Sequence, residues 1–176
     1  LADAINGLAD QYEKLGESKK AADLTQEAVA ICQTATEAAP GSSPLLQRLA
    51  GSLSVLGRRL TKLGEHEQAV EASEKAVAAC QTLSARDSDA RRKFMPALAA
   101  SLNNLGAVFA SAGKRKEALE ATQAAVVTYK ALSRAEPGKF AVPLARALSN
   151  MSVDLAAAGD SQGALAYGSE AVTSLK

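Results

Sequence analysis

The hydrophobic positions of this chain fall into pairs of helical stripes, clearest between residues 98 and 132. Leu98, Leu102, Leu105, Phe109 and Ala112 follow one another at spacings of four, three, four and three. That spacing puts them on one face of an α-helix. Gly113 comes next, where a helix closing on a left-handed residue favours glycine. Ala118, Thr122, Ala125, Tyr129 and Leu132 then form a second stripe of similar period. Neither helix can bury such a stripe alone, so the pattern predicts two helices packed on each other and on neighbours.

The same pattern occurs four times. Its leading leucines are Leu1, Leu49, Leu98 and Leu144, and its turn glycines are Gly16, Gly64, Gly113 and Gly159; both sets are separated by 48, 49 and 46 residues. Leucine and glycine are 15 residues apart in every copy. Ala21, Ala69, Ala118 and Ala164 stand five residues after the glycine, and an Ala-Val pair starts twelve residues after it. All length variation lies between one unit and the next. A fixed interior with variable links is the signature of a repeat array. The expected fold is an all-α, right-handed α-solenoid of four helix pairs. It forms one domain over residues 1–176, with repeats of about 1–43, 44–95, 96–142 and 143–176.

The unit resembles a tetratricopeptide repeat. The residues that carry the likeness are Leu102, Leu105-Gly106, Phe109, Gly113, Ala118 and Ala125, matched in the second copy by Leu53, Leu56-Gly57, Leu60, Gly64, Ala69 and Ala76. The first and fourth copies carry Leu8-Ala9 and Met151-Ser152 at the Leu-Gly pair. The period exceeds the usual ~34 residues. In this it is similar to kinesin-light-chain-type repeats and to long bacterial arrays, and it implies longer helices.

Several local expectations follow. The second helix of the first copy should run over about residues 19–38 and end at Pro40-Gly41. Pro44, Pro96 and Pro143 should open the next first helices, where a missing N–H costs nothing. The charged link over residues 87–95 reads as a solvated loop. The chain is expected to open in a helix at Leu1 and to close in one at Lys176.

Composition narrows the function. Hydrophobic residues make up 47% and aromatics only 3%, so the core is built from Ala, Leu and Val. Net charge is +1, split as −3 over residues 1–88 (9 basic, 12 acidic) and +4 over the rest (11 basic, 7 acidic). No long basic stripe invites nucleic acid, and no run reaches the length of a membrane helix. Cys32 and Cys80 sit one repeat apart on equivalent helices, too far for a disulfide; reduced thiols fit a cytoplasmic protein. The single histidine, His66, has no partner motif for catalysis or metal binding. The reading is a non-enzyme with no cofactor and no metal.

What remains is surface. Opposite the leucine stripe, each first helix presents a second face. In tetratricopeptide arrays first helices line the concave wall, so the resemblance implies a groove there for a protein or peptide segment. Its candidate residues are Asn6, Asp10, Ser54, Arg58, Lys62, Asn103, Asn104, Ala107, Arg146, Asn150 and Val153. The charged members lie mainly in the first two copies. The family's carboxylate clamp wants Lys and Asn four apart, but this chain has Asn6 with Asp10 and Ser54 with Arg58, so chaperone C-termini are not implied. The last unit carries apolar Leu165, Val172 and Leu175 with nothing following to cover them. Head-to-tail self-association is therefore a further expectation, as is a structural or sensor arm within a larger signalling protein.

Overall fold

The computed structural model describes residues 1–175. Eight helices account for nearly all of them: α1 (Ala2–Lys14), α2 (Ser18–Ala38), α3 (Ser43–Lys62), α4 (His66–Ser84), α5 (Ser88–Ser111), α6 (Arg115–Ala135), α7 (Ala141–Ala157) and α8 (Ser161–Thr173). Among the described residues there is no strand. Each helix packs on the one before and the one after, and the first helices of neighbouring units also meet, α3 with α5 and α5 with α7. The fold is an α-solenoid of four helix pairs.

The four turn glycines close their helices in the same way. Gly16, Gly64, Gly113 and Gly159 all have positive φ, from 75° to 90°. The residue after each donates its N–H to a carbonyl five residues back: Glu17 to Tyr12, Glu65 to Leu60, Lys114 to Phe109 and Asp160 to Leu155. This is the Schellman closure, which only glycine enters without steric cost.

Two expectations about helix limits are corrected. The link over residues 87–95 is not a loop, and Pro96 does not open a helix. α5 begins at Ser88, with the Asp87 carboxylate accepting the Ala90 N–H at 2.7 Å. Pro96 therefore lies inside the helix and leaves the Arg92 carbonyl without its usual donor, at a cost of ~3 kcal/mol. Burial of Phe94, 3% exposed, returns ~1.5–3 kcal/mol, and the Asp87 cap adds about 1 kcal/mol. Together these offset the proline. Pro44 and Pro143 do lie in first turns. The final helix ends at Thr173, before Lys176, which lies outside the described residues.

The two helices of a pair cross where small residues meet. Ala21, Ala69 and Ala118 are at most 1% exposed and Ala164 is 8% exposed. Seven residues before each turn glycine stand Ala9, Gly57, Gly106 and Ser152, and nine after it stand Thr25, Ser73, Thr122 and Gly168. A side chain at Gly57 would run into the Ser73 hydroxyl, and one at Gly106 into that of Thr122. In the fourth unit the sizes are exchanged: serine stands on the first helix and glycine on the second. A Cβ on Gly168 would lie 3.2 Å from Ser152 Oγ. The second and fourth units thus hold the same pair of residues in opposite order, so the combined volume is kept while either helix supplies the bulk, as a close-packed interior requires.

Candidate functional site

The surface made by the first helices is built on the joints between units. Position five after the leading leucine of one copy reaches toward the first helix of the next. Asn6 Nδ2 donates to Ser52 Oγ at 2.9 Å. The Ser54 and Ser101 hydroxyls are 3.2 Å apart. Asn150 Nδ2 donates to Asn103 Oδ1 at 3.0 Å. These side chains form a polar ladder along the array, one rung per joint. Asn103 is only 3% exposed, so its amide is turned into the joint and not onto the open face. Asn6, Ser54 and Asn150 are half-buried and engaged in the same way.

Beside the first rung lies a cluster of charges. Arg59 is 5% exposed. It donates to Thr25 Oγ1 and, at 2.6 Å, to Asp10 Oδ1, while its Nε lies 3.6 Å from Glu13 Oε2. Lys62 pairs with the other Glu13 oxygen. Asp10, Glu13, Val55, Arg58, Arg59 and Lys62 line a cavity of about 170 Å³ between α1 and α3. Three cations face two carboxylates there. Arg58 is exposed, with no ion pair among the described residues. The same face continues over half-buried Asn104 and exposed Ala107, Arg146 and Val153; Val153 is 64% exposed.

Arg59, Thr25 and Asp154 were not singled out by the sequence pattern, and Thr122 only as a member of the second stripe, yet the four define the joints. Thr25 and Thr122 occupy equivalent positions, as do Arg59, Val108 and Asp154. Thr122 donates to Asp154 Oδ2 at 2.8 Å across the third joint. Burial pushes the Asp154 carboxyl above its ordinary range, and the Thr122 hydrogen bond opposes that shift. At the middle joint the corresponding Ser73 hydroxyl has no partner and the opposite residue is Val108. The signal available in the sequence was an Arg and an Asp five residues before the turn glycine, at a position beside the stripe that is Val in the third copy.

Little else has chemical character. His66 is half-buried at the start of α4, and its Nδ1 has no partner. It borders an open depression of about 760 Å³ along the turns, with Glu65, Glu67 and Lys114. No group of three or more His, Cys, Asp or Glu among the described residues is placed to hold a metal. Cys32 and Cys80 are buried free thiols, and burial raises the pKa of Cys80. No helix among the described residues is long and apolar enough to cross a membrane.

Residues 49–88 and 98–133 match the family model of the tetratricopeptide repeat. The sequence matches no curated protein. Among solved structures, BtubC (BKLC) from P. vanneervenii superposes with a TM-score of 0.80 at 23% identity, over 99% of this chain and 63% of that one. The apo form of RapI gives 0.74 at 14% identity, over 98% and 42%. A Rap protein in complex with Competence and Sporulation Factor gives 0.70 at 16% identity, over 99% and 43%. The chain thus spans less than two thirds of each, and at these identities the likeness is one of fold.

Proposed function

We propose that this chain of tetratricopeptide repeats is a non-catalytic interaction scaffold that holds an extended segment of a partner protein along its first helices. The observation that carries the reading is the surface running from Arg58 and Lys62 over Asn104 and Ala107 to Arg146 and Val153. It is open and mixed in character, and Arg58 and Arg146 have no internal ion pair among the described residues. First helices of adjacent units touch while second helices do not approach comparably, which supports placing this surface on the inner side of the array. Small residues such as Ala107 permit close approach of a peptide backbone, and the Asn104 amide can both donate to it and accept from it. The Rap protein whose structure holds Competence and Sporulation Factor supports the reading, because its fold is similar. Two free, buried cysteines fit a cytoplasmic setting.

The test is selection of binders from a displayed peptide library, followed by titration against Arg58→Glu and Val153→Asp. Both positions are exposed, so both variants should keep the helical circular dichroism spectrum. Loss of a charged contact should weaken binding by about 1.5–3 kcal/mol, roughly ten-fold or more. Selected peptides that bind both variants with unchanged affinity would place the binding surface elsewhere.

A further inference from the structure

We propose that the joint between the first and second units is an ionic clasp, at which α1 and α2 open together from the rest of the array when salt screens it. This inference does not depend on the peptide reading, and every group it uses lies between two units of the chain.

Charge holds this joint. Asp3 pairs with Arg48 at 3.0 Å, Lys19 with Glu65 at 3.3 Å, and Glu13 with Lys62. Beside Lys62, buried Arg59 reaches across to Asp10 at 2.6 Å and to Glu13 at 3.6 Å. The other joints are built differently. Among the described residues no ion pair links the second unit to the third, and Lys130 with Glu170 is the one pair between the third and the fourth. Apolar side chains take that place. Leu56, Leu60, Val70, Val77, Leu105 and Phe109 belong to one cluster across the middle joint, to which the first unit adds Val29. Val126 and Tyr129 share another with Leu148 and Met151 across the third.

The first joint is also underfilled. Ala22 stands where the second and third units have Val70 and Leu119. A cavity of about 240 Å³ remains between α2, α3 and α4, walled by Val29, Leu53, Leu56 and Leu60. The hollow of about 170 Å³ beside Arg59 lies between α1 and α3, whereas the depression at the middle joint runs along its turn edge. Side chains that line empty space lose dispersion contacts. Two polar atoms of this joint, Asn6 Oδ1 and Glu13 Oε2, are buried without a hydrogen-bond partner. Burying Arg59 carries a desolvation cost that its carboxylates offset only while they stay in place. Asp3, Asp10, Lys19, Arg48 and Lys62 are each more than half exposed, and charges so placed are screened by salt. Screening thus weakens this joint and spares those held by apolar clusters. The link that would serve as pivot is anchored on the second unit: Arg86 donates to the Gly41 carbonyl at 2.8 Å and to Ser43 Oγ at 2.6 Å.

Hydrogen exchange read by mass spectrometry tests this on the whole chain. Between about 0.01 M and about 1 M sodium chloride the screening length falls from ~30 Å to ~3 Å. Amides of α1 and α2 should exchange together, as one opening unit does, and about ten-fold faster in the higher salt. Those of α4, α5 and α6 should show no comparable change. Nor should those of α7 and α8, which also pack on a single neighbouring unit and so control for position in the array. Combining Lys19→Gln, Arg48→Gln and Lys62→Gln should bring α1 and α2 to the high-salt rate already in low salt. All three positions are exposed, so the helical circular dichroism spectrum should be kept. Lys116→Gln, which breaks a pair inside α6, should respond to salt as the native chain does. Equal exchange of α1 and α2 in both salts overturns the proposal. So does an equal response in α7 and α8, or a native salt response in the triple variant.

Discussion

Replacing Gly106 with alanine adds one carbon at the tightest crossing in the third unit. That carbon would overlap the Thr122 hydroxyl and approach the Ala118 carbonyl to 3.3 Å and the Thr122 nitrogen to 3.2 Å. The α6 backbone blocks a simple shift, so the Thr122 side chain must rotate away. The rotation breaks its 2.8 Å hydrogen bond to the buried Asp154 carboxylate. Overpacking costs ~1–3 kcal/mol, and the lost bond to a charged group ~1.5–3 kcal/mol. Better helix propensity returns only ~0.5–1 kcal/mol. The net loss is about 2–5 kcal/mol, or roughly 4–20 °C in melting midpoint for a chain of this size. Gly51→Ala is the control, since a Cβ there meets nothing within 4 Å; it should stabilise by ~0.5–1 kcal/mol. Thermal melts followed by circular dichroism compare the two. Gly106→Ser combined with Thr122→Gly, the arrangement found natively at Ser152 and Gly168, should recover the overpacking part of the loss but not the part due to the Asp154 hydrogen bond, which Thr122→Gly also removes. If Gly106→Ala melts at or above Gly51→Ala, the crossing is not packed as described.

Two other perturbations probe the same frame. Ala118→Leu should cost ~1–3 kcal/mol by overpacking the site where Ala118 is 1% exposed; an unchanged midpoint in urea would place the crossing elsewhere. Asp154 makes the third joint sensitive to pH. Its folded pKa lies above the ordinary 3.8, so the unfolded chain loses this proton first, and stability falls as pH rises from 3.8 through the folded value. Asp154→Asn keeps an acceptor for Thr122 and removes that titration. It should melt above the native chain at neutral pH, with the advantage shrinking as pH falls from the folded value to 3.8 and levelling off below it; a difference that stays constant with pH would show that Asp154 does not titrate differently on folding.

The sequence by itself determined the four helix pairs, the turn at each of Gly16, Gly64, Gly113 and Gly159, and the small residues at the crossings. These features are local: a 3.6-residue period, a left-handed closure and a fixed spacing act within some thirty residues. The start of α5 was less legible, because Pro96 is a strong local signal. Its penalty is outweighed only by burial of Phe94 and the cap at Asp87, and burial is a property of the packed array. The first-helix face was legible as a set of positions, but the partners of those positions were not. Tertiary structure decided that Asn103 turns inward to Asn150 while Asn104 stays half-open. It also decided that Arg59, not its neighbour Arg58, enters the joint to meet Thr25, Asp10 and Glu13. Adjacent residues on a helix point about 100° apart, so which of them reaches the next unit depends on the offset between units. That offset is set by the volumes packed at each crossing, and it exists only once the helices are stacked.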